Sequence, residues 1–291
     1  MQTDRTLLLV DGMAVLYRAF YAIRELSTSS GRPTNAVFGF IRMWRQMKDA
    51  WRASHALVAF DGGLPEARLG LAADYKAQRP PMPEPLRRQV ATVQEYLDCA
   101  GIAWVQRERE EADDVLAALC QQAAGTCLVL IATSDKDLYQ LVGPNVKIVP
   151  IAGKPEVVGP AEVESRTGVA PSQIVDWLAL TGDQVDNIQG VPGVGPKTAA
   201  KLIRTYGSVE ALWLRLAELD NEKLKNALIE HRSLVERNLK MVRLNAAVDC
   251  QLDWERLRLR SPDVARLSLF LEEMEFHTMI REMREPDLFA R

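Results

Sequence analysis

The sequence predicts an α/β domain followed by a helical region. Three observations carry this expectation. Short apolar runs alternate with amphipathic stretches over the first 168 residues, strand-like runs cease beyond that point, and each of the three strongest runs ends in an acid. Such alternation implies a parallel sheet with right-handed crossovers, because parallel strands need a connection long enough to hold a helix.

Residues 6–10, 56–60 and 128–132 are continuous apolar runs bounded by polar residues, the pattern of strands buried on both faces. Runs 102–105 and 146–149 are weaker strand candidates. Between them, stretches 14–24, 35–52, 86–99 and 111–124 place apolar residues at helical spacing. Beyond Gly168 helices are expected over 171–180, 196–206, 209–217, 224–243 and 264–281. Two segments fit neither pattern: the proline-broken run 79–85, where a continuous helix is forbidden, and the glycine-rich run 190–196. The expected domains are 1–168 and 169–291.

The 291 residues are 47% apolar and 26% charged, which excludes disorder, a collagen-like repeat and a small stapled scaffold. The apolar stretch 127–133 is far shorter than the ~20 residues of a membrane helix. The run ending at Asp11 lacks a basic lead and a cleavage site, so no signal peptide and no membrane partner are expected, and a cytoplasmic location is. Cys99, Cys120, Cys127 and Cys250 show no metal or disulfide spacing and are expected as small core residues. His55, His231 and His277 lie outside every motif and are expected to be structural or surface residues.

In an open parallel sheet the carboxyl ends of the strands form one ligand-binding edge. Asp11, Asp61 and the Asp135/Asp137 pair follow the three best strands and would converge there. An Asp after a strand also serves simply to cap the next helix. Glu111, Asp113 and Asp114 open a helix, where the macrodipole alone favours one or two acids but does not account for three. Asp183 and Asp186 lie just before the glycine-rich run. Nine acids on one edge repel unless cations neutralise them, and hard divalent ions such as Mg²⁺ or Mn²⁺ take oxygen ligands of this kind. Net charge is −3; setting the nine aside from 39 acidic residues leaves 30 against 36 basic, a surplus of six positive charges suited to an anionic partner.

The run from Gly190 to Thr198 fails as a phosphate loop, because Pro196 separates Gly195 from Lys197. It fits a helix-hairpin-helix over about 176–206 better. There Gly193 and Gly195 form the turn, backbone amides near Thr198 grip phosphate, and Lys197, Lys201 and Arg204 share one helix face. The other basic stretch, 68–88, sets Arg68, Lys76, Arg79, Arg87 and Arg88 around Tyr75. Following Asp61, it is placed to clamp a phosphate chain, and Tyr75 is placed either to stack on a base or to be buried.

These motifs together resemble the bacterial 5′→3′ nuclease family, flap-endonuclease-like proteins that include the N-terminal domain of DNA polymerase I. The matching stretches are LLLVDG (7–12), LYRAFYA (16–22), AFDG (59–62), DYKAQRPPMP (74–83), EADDVLAAL (111–119), TSDKDLYQL (133–141), LTGDQVDNIQGVPGVGPKTAAKLI (180–203) and LFLEEMEF (269–276). The resemblance implies a PIN-like (resolvase-like) parallel-sheet nuclease core with a helical arch at about 63–92, and a helical C-terminal region containing the helix-hairpin-helix. It implies that Asp11, Asp61, Glu111, Asp113, Asp114, Asp135, Asp137, Asp183 and Asp186 hold two or more Mg²⁺ or Mn²⁺ ions. Lys76 and Arg79 match residues that reach the scissile phosphate, Arg68 and Tyr75 lie in the same arch, and the hairpin often binds K⁺. Val185 stands where Ser is usual and Gln189 where Pro is usual.

The expected activity is two-metal hydrolysis of DNA, or of an RNA primer paired to DNA, at 5′ ends, nicks and flaps during replication and repair. The chain is expected to act as a monomer, with a DNA polymerase and a ligase as partners. Asp11, Asp61, Glu111 and Asp113 would centre on one ion and Asp135, Asp137 and Asp186 on the other, with Asp114 and Asp183 partly behind them. A catalytically silent junction-binding protein would instead show missing carboxylates, and a PIN-type single-strand RNase would lack the hairpin and arch.

Overall fold

The structure, a computed structural model, describes residues 5–284. Five strands form a parallel sheet: β1 (Thr6–Asp11), β2 (His55–Phe60), β3 (Trp104–Gln106), β4 (Leu128–Ala132) and β5 (Val146–Val149), in the spatial order β3-β2-β1-β4-β5. Strand alternation divides the core. Leu7, Leu9, Leu57 and Ile131 face one side, while Leu8, Val10, Val58 and Leu130 face the other. Burial on both faces is why these runs carry no polar alternation.

Helices α1 (Gly12–Ala22) and α2 (Asn35–Trp51), with α4 (Glu84–Cys99) beyond the short α3 (Glu66–Leu71), cover the Leu8 face, and α5 (Ala112–Ala123) covers the other. On the α5 side follow α6 (Pro160–Thr167), α7 (Ile174–Thr181), α8 (Pro196–Tyr206), α9 (Val209–Leu214), α10 (Glu222–Glu230), α11 (Arg232–Met241) and α12 (Trp254–Leu257). The final pair, α13 (Val264–Glu273) and α14 (His277–Arg284), crosses back to the Leu8 face. There Phe270, Leu271, Met274 and Met279 join the core made by Trp44, Val93, Tyr96 and Leu97. The tail of the expected 169–291 region thus packs into the first region's core, and residues 285–291 lie outside the described residues, as do 1–4.

Several elements depart from the sequence expectation for local reasons. Ile102, expected in a strand, instead closes α4: Gly101 takes φ 67°, its amide bonds the Asp98 carbonyl, and the Ile102 amide bonds Leu97. The same device divides the expected helix 264–281, with Glu275 at φ 58° and the Phe276 amide on the Leu271 carbonyl. Apolar spacing runs straight through both breaks, so periodicity does not register them. The stretch 224–243 breaks at His231, and 171–173 is a 3₁₀ turn before α7. A two-residue-per-strand hairpin, β6 (Gly182–Asp183) with β7 (Ile188–Gln189), lies where no strands were expected. All four cysteines are buried and free, as expected.

Candidate active site

The three acid-ended strands deliver their carboxylates to one edge. Asp11 caps α1, its Oδ1 accepting the Ala14 amide at 2.9 Å and its Oδ2 the Thr133 hydroxyl at 3.2 Å. Asp61 accepts the Ala112 amide at 2.8 Å, which ties the end of β2 to the start of α5. After β4, the Asp137 amide donates to Asp135 Oδ1 at 2.8 Å. The β6–β7 hairpin adds Asp183 and Asp186. Its tight crossing needs glycine, since a side chain at Gly190 would overlap the Thr181 carbonyl and one at Gly182 would overlap Ile188. These pieces enclose a cavity of about 410 Å³ lined by Asp11, Asp61, Asp113, Asp135, Asp183 and Asp186.

Glu111, Asp114 and Asp137 do not line it. Glu111 is buried behind the cavity, bonded by Arg68, Lys76 and the Tyr75 hydroxyl. Asp114 is 1% exposed, and Arg68 bonds both its oxygens, at 2.7 and 2.8 Å, while the Asn245 amide donates to Oδ1 at 2.8 Å. With its oxygens so engaged, Asp114 stands behind the cavity and ties α5 to the segments that carry Arg68 and Asn245. Arg68 also donates to the Met241 carbonyl at 3.1 Å, joining α3 and α5 to the end of α11. Of the two alternatives for Tyr75 the structure shows the buried one, and Arg68 is likewise turned inward. Arg68 is 7% and Tyr75 4% exposed, because each satisfies buried carboxylates that would otherwise lack partners.

Lys76 and Arg79 do reach the cavity. Lys76 bonds Glu111 and stands 3.6 Å from Asp186, which Arg79 also bonds. Burial works against the charge on both, but Asp186, with Glu111 on Lys76, outweighs it and raises their pKa values. Rather than hanging free, the segment is seated by these contacts and by the Lys76 amide on the Asp186 carbonyl.

Asp11, Asp61, Asp113, Asp135 and Asp137 form no ion pair among the described residues. Burial raises the Asp11 carboxyl to about 7, with Asp61 and Asp135 adding repulsion. Asp113, Asp135 and Asp137 are raised in the same sense, first by burial and then by neighbouring acids. Asp137 Oδ1 is buried with no hydrogen-bond partner. Among the described residues no three acids, histidines or cysteines are gathered tightly enough to hold an ion as they stand, in keeping with this mutual repulsion. Uncompensated carboxylate oxygens around a polar cavity are nonetheless the donor set that hard divalent cations take, so the residues fit such ions.

The glycine turn joins α7 to α8. Gly193 takes φ 80° and Gly195 precedes α8 without a side-chain cap, leaving the first-turn amides near Lys197 and Thr198 unpaired within the helix. Lys197, Lys201 and Arg204 are exposed on α8 opposite buried Ala199, Leu202 and Ile203. Residue-by-residue reasoning missed Tyr17 and Lys136. Tyr17 lines the cavity and stacks on exposed Tyr21 at 6.5 Å, and their four-residue spacing on α1 was the available signal. Lys136, set between two acids, pairs with Asp183 at 3.2 Å.

Residues 6–168 match the family described as 5′-3′ exonuclease, N-terminal resolvase-like domain, and residues 169–265 match 5′-3′ exonuclease, C-terminal SAM fold. The chain belongs to the 5′-3′ exonuclease family. This nuclease family of hydrolases includes a 5′-3′ exonuclease of Aquifex aeolicus, 39% identical over 280 residues, 96% of this chain and 95% of the relative. The thermostable DNA polymerase I of Thermus aquaticus is 37% identical over 94% of this chain but 32% of its own length, so the chain spans about a third of that relative. The fold is shared with bacteriophage T5 flap endonuclease, solved with DNA and metal ions (TM-score 0.68, 21% identity, 97% of this chain and 100% of that one). It is shared also with the catalytic core of Rad2 in complex with DNA substrate (TM-score 0.66, 18% identity, 97% and 91%). The exonuclease family match ends at 265, where α13 begins its return across the sheet. Among the described residues no helix is long and apolar enough to cross a membrane.

Proposed function

We propose that this family member hydrolyses phosphodiesters at 5′ ends, nicks and flaps of DNA, or of RNA paired to DNA, with two divalent ions held by Asp11, Asp61, Asp113, Asp135, Asp183 and Asp186. The carrying observation is the set of four carboxylates without ion pairs, Asp11, Asp61, Asp113 and Asp135, lining a cavity that Asp183 and Asp186 also line and that receives Lys76 and Arg79. When bound, Mg²⁺ or Mn²⁺ supplies a hydroxide nucleophile at neutral pH and charge stabilisation for the leaving 3′-oxygen.

The chain's own residues do the rest. Lys76 and Arg79 neutralise charge on the reacting phosphate, and Glu111 and Asp186 hold them in place. Glu111, Tyr75 and Arg68 position Lys76 from behind without touching substrate. Tyr17 offers a ring face at the cavity wall to a terminal base. Amides after Gly193 and Gly195, with Lys197, Thr198, Lys201 and Arg204, grip backbone phosphates without reading sequence, and the turn's carbonyls suit K⁺. Acting as a monomer in replication and repair, beside a polymerase and a ligase, the protein would select substrates by shape.

The test is cleavage of a doubly end-labelled 5′-flap duplex in Mg²⁺ or EDTA, with Asp135→Ala as the comparison. Metal-dependent cutting near the junction, lost in the variant while duplex binding survives, is expected. Tight junction binding without product in Mg²⁺ or Mn²⁺ would establish the silent junction-binding reading instead.

A further inference from the structure

We propose that Arg18, Lys154 and Arg166 form a second phosphate subsite, which holds the nucleic-acid backbone beside the reacting phosphate at the β4–β5 end of the crevice. The inference rests on the nuclease reading above and adds to it a place where the strand is gripped.

A second cavity, of about 380 Å³, adjoins the first, and Ser134 and Asp135 line both. Its cations come from three separate elements. Arg18 projects from α1, Lys154 from the loop after β5, and Arg166 from α6. Arg18 is seven residues beyond Asp11, about 10 Å along the same helix. Lys76, Arg79 and Lys136 are each engaged by a site carboxylate. Arg18 and Lys154 are exposed, and among the described residues neither is paired with a carboxylate. Arg166 is oriented by Glu156 at 2.8 Å and the Tyr139 hydroxyl at 3.1 Å.

Two carboxylates line the same concavity, Glu156 paired with Arg166 and Asp135 shared with the first cavity, and the three cations outnumber them, which favours an anion. Its chemistry follows from the neighbouring cavity: a strand whose scissile phosphate sits among the carboxylates carries its next charges only about 3.4 Å apart along a duplex axis. Lys76 and Arg79 are anchored on Asp186 of the β6–β7 hairpin, whereas the cations of the new subsite come from α1, the loop after β5 and α6. Grips from separate elements on two flanks hold a flexible strand in line through the displacement.

The test measures binding of 5′-flap DNA in EDTA, where no turnover intervenes, by wild type and by Arg18→Ala/Lys154→Ala across a salt series. The variant is expected to bind roughly 10-fold more weakly, with a salt slope smaller by about two. Arg18→Lys/Lys154→Arg, which keeps both charges, is expected to restore affinity. Single neutral methylphosphonates are then placed along the strand. One position near the cut should weaken wild type but leave the alanine variant unaffected, which identifies a strand phosphate rather than free inorganic phosphate as the occupant. Unchanged affinity and slope in the variant overturn the proposal. So does weakened binding with no position-specific effect, which marks only diffuse attraction. If wild type neither binds nor cuts flap DNA, the nuclease reading fails and the subsite fails with it.

Discussion

Asp11 shows how a buried carboxylate couples this site to pH. Its folded-state pKa of about 7, against an ordinary 3.8, means that the folded chain holds the proton more tightly than the unfolded chain. The stabilisation is therefore full below the unfolded value and is lost as pH rises through the folded one. Asp113, Asp135 and Asp137 are shifted in the same direction and reinforce it. Without divalent ions, the melting temperature should fall as pH rises from about 4 to about 7. Asp11→Asn, which has no proton to lose there, should flatten the fall, and a wild-type curve level over that range would refute the account. Arg68 makes the opposite case, since its guanidinium is the buried partner of two acids. Arg68→Met should cost about 3–5 kcal/mol in urea unfolding. Arg79→Met, whose side chain is 41% exposed in its pair, should cost about 1 kcal/mol or less. Equal losses would contradict the structural role given to Arg68.

At the scale of elements, the β6–β7 hairpin turns a short loop into a rigid wall of the site. Gly190→Ala would push the crossing apart and displace Asp183 and Asp186. Misplacement of reacting groups by about 1 Å costs on the order of 100-fold in rate. Single-turnover flap cleavage should fall by about that factor while the circular dichroism spectrum is unchanged, and a wild-type rate would show that the hairpin does not place these acids. The hairpin was invisible to periodicity because each strand is two residues long. The strands of the main sheet were legible because burial on both faces makes each one a continuous apolar run. Where Gly101 and Glu275 end helices in a left-handed turn, apolar spacing continues and hides the break.

Across the whole molecule, the return of α13 and α14 welds the two regions of the chain into one core. Leu271 is fully buried beside the α2 and α4 residues, 0% exposed. Leu271→Ala should cost about 2–5 kcal/mol, comparable with Leu97→Ala on α4. Both variants should unfold in one cooperative transition, followed by calorimetry with circular dichroism as a second probe. Two separated transitions would mean that the helical region folds independently.

By itself the sequence determined the parallel α/β core, the acids after its strands, the glycine turn and the basic face of α8. These follow from local rules, strand burial and helix and turn chemistry, which act within a few residues. Only the tertiary structure decided which acids face the cavity. Arg68 lies 43 residues from Glu111 and Tyr75 lies 111 from Asp186. No local pattern shows that these groups meet, so a guanidinium and a phenol that read as arch residues proved to be interior partners of carboxylates. Charge pairing over such separations depends on how the chain packs, and packing is settled by the core as a whole.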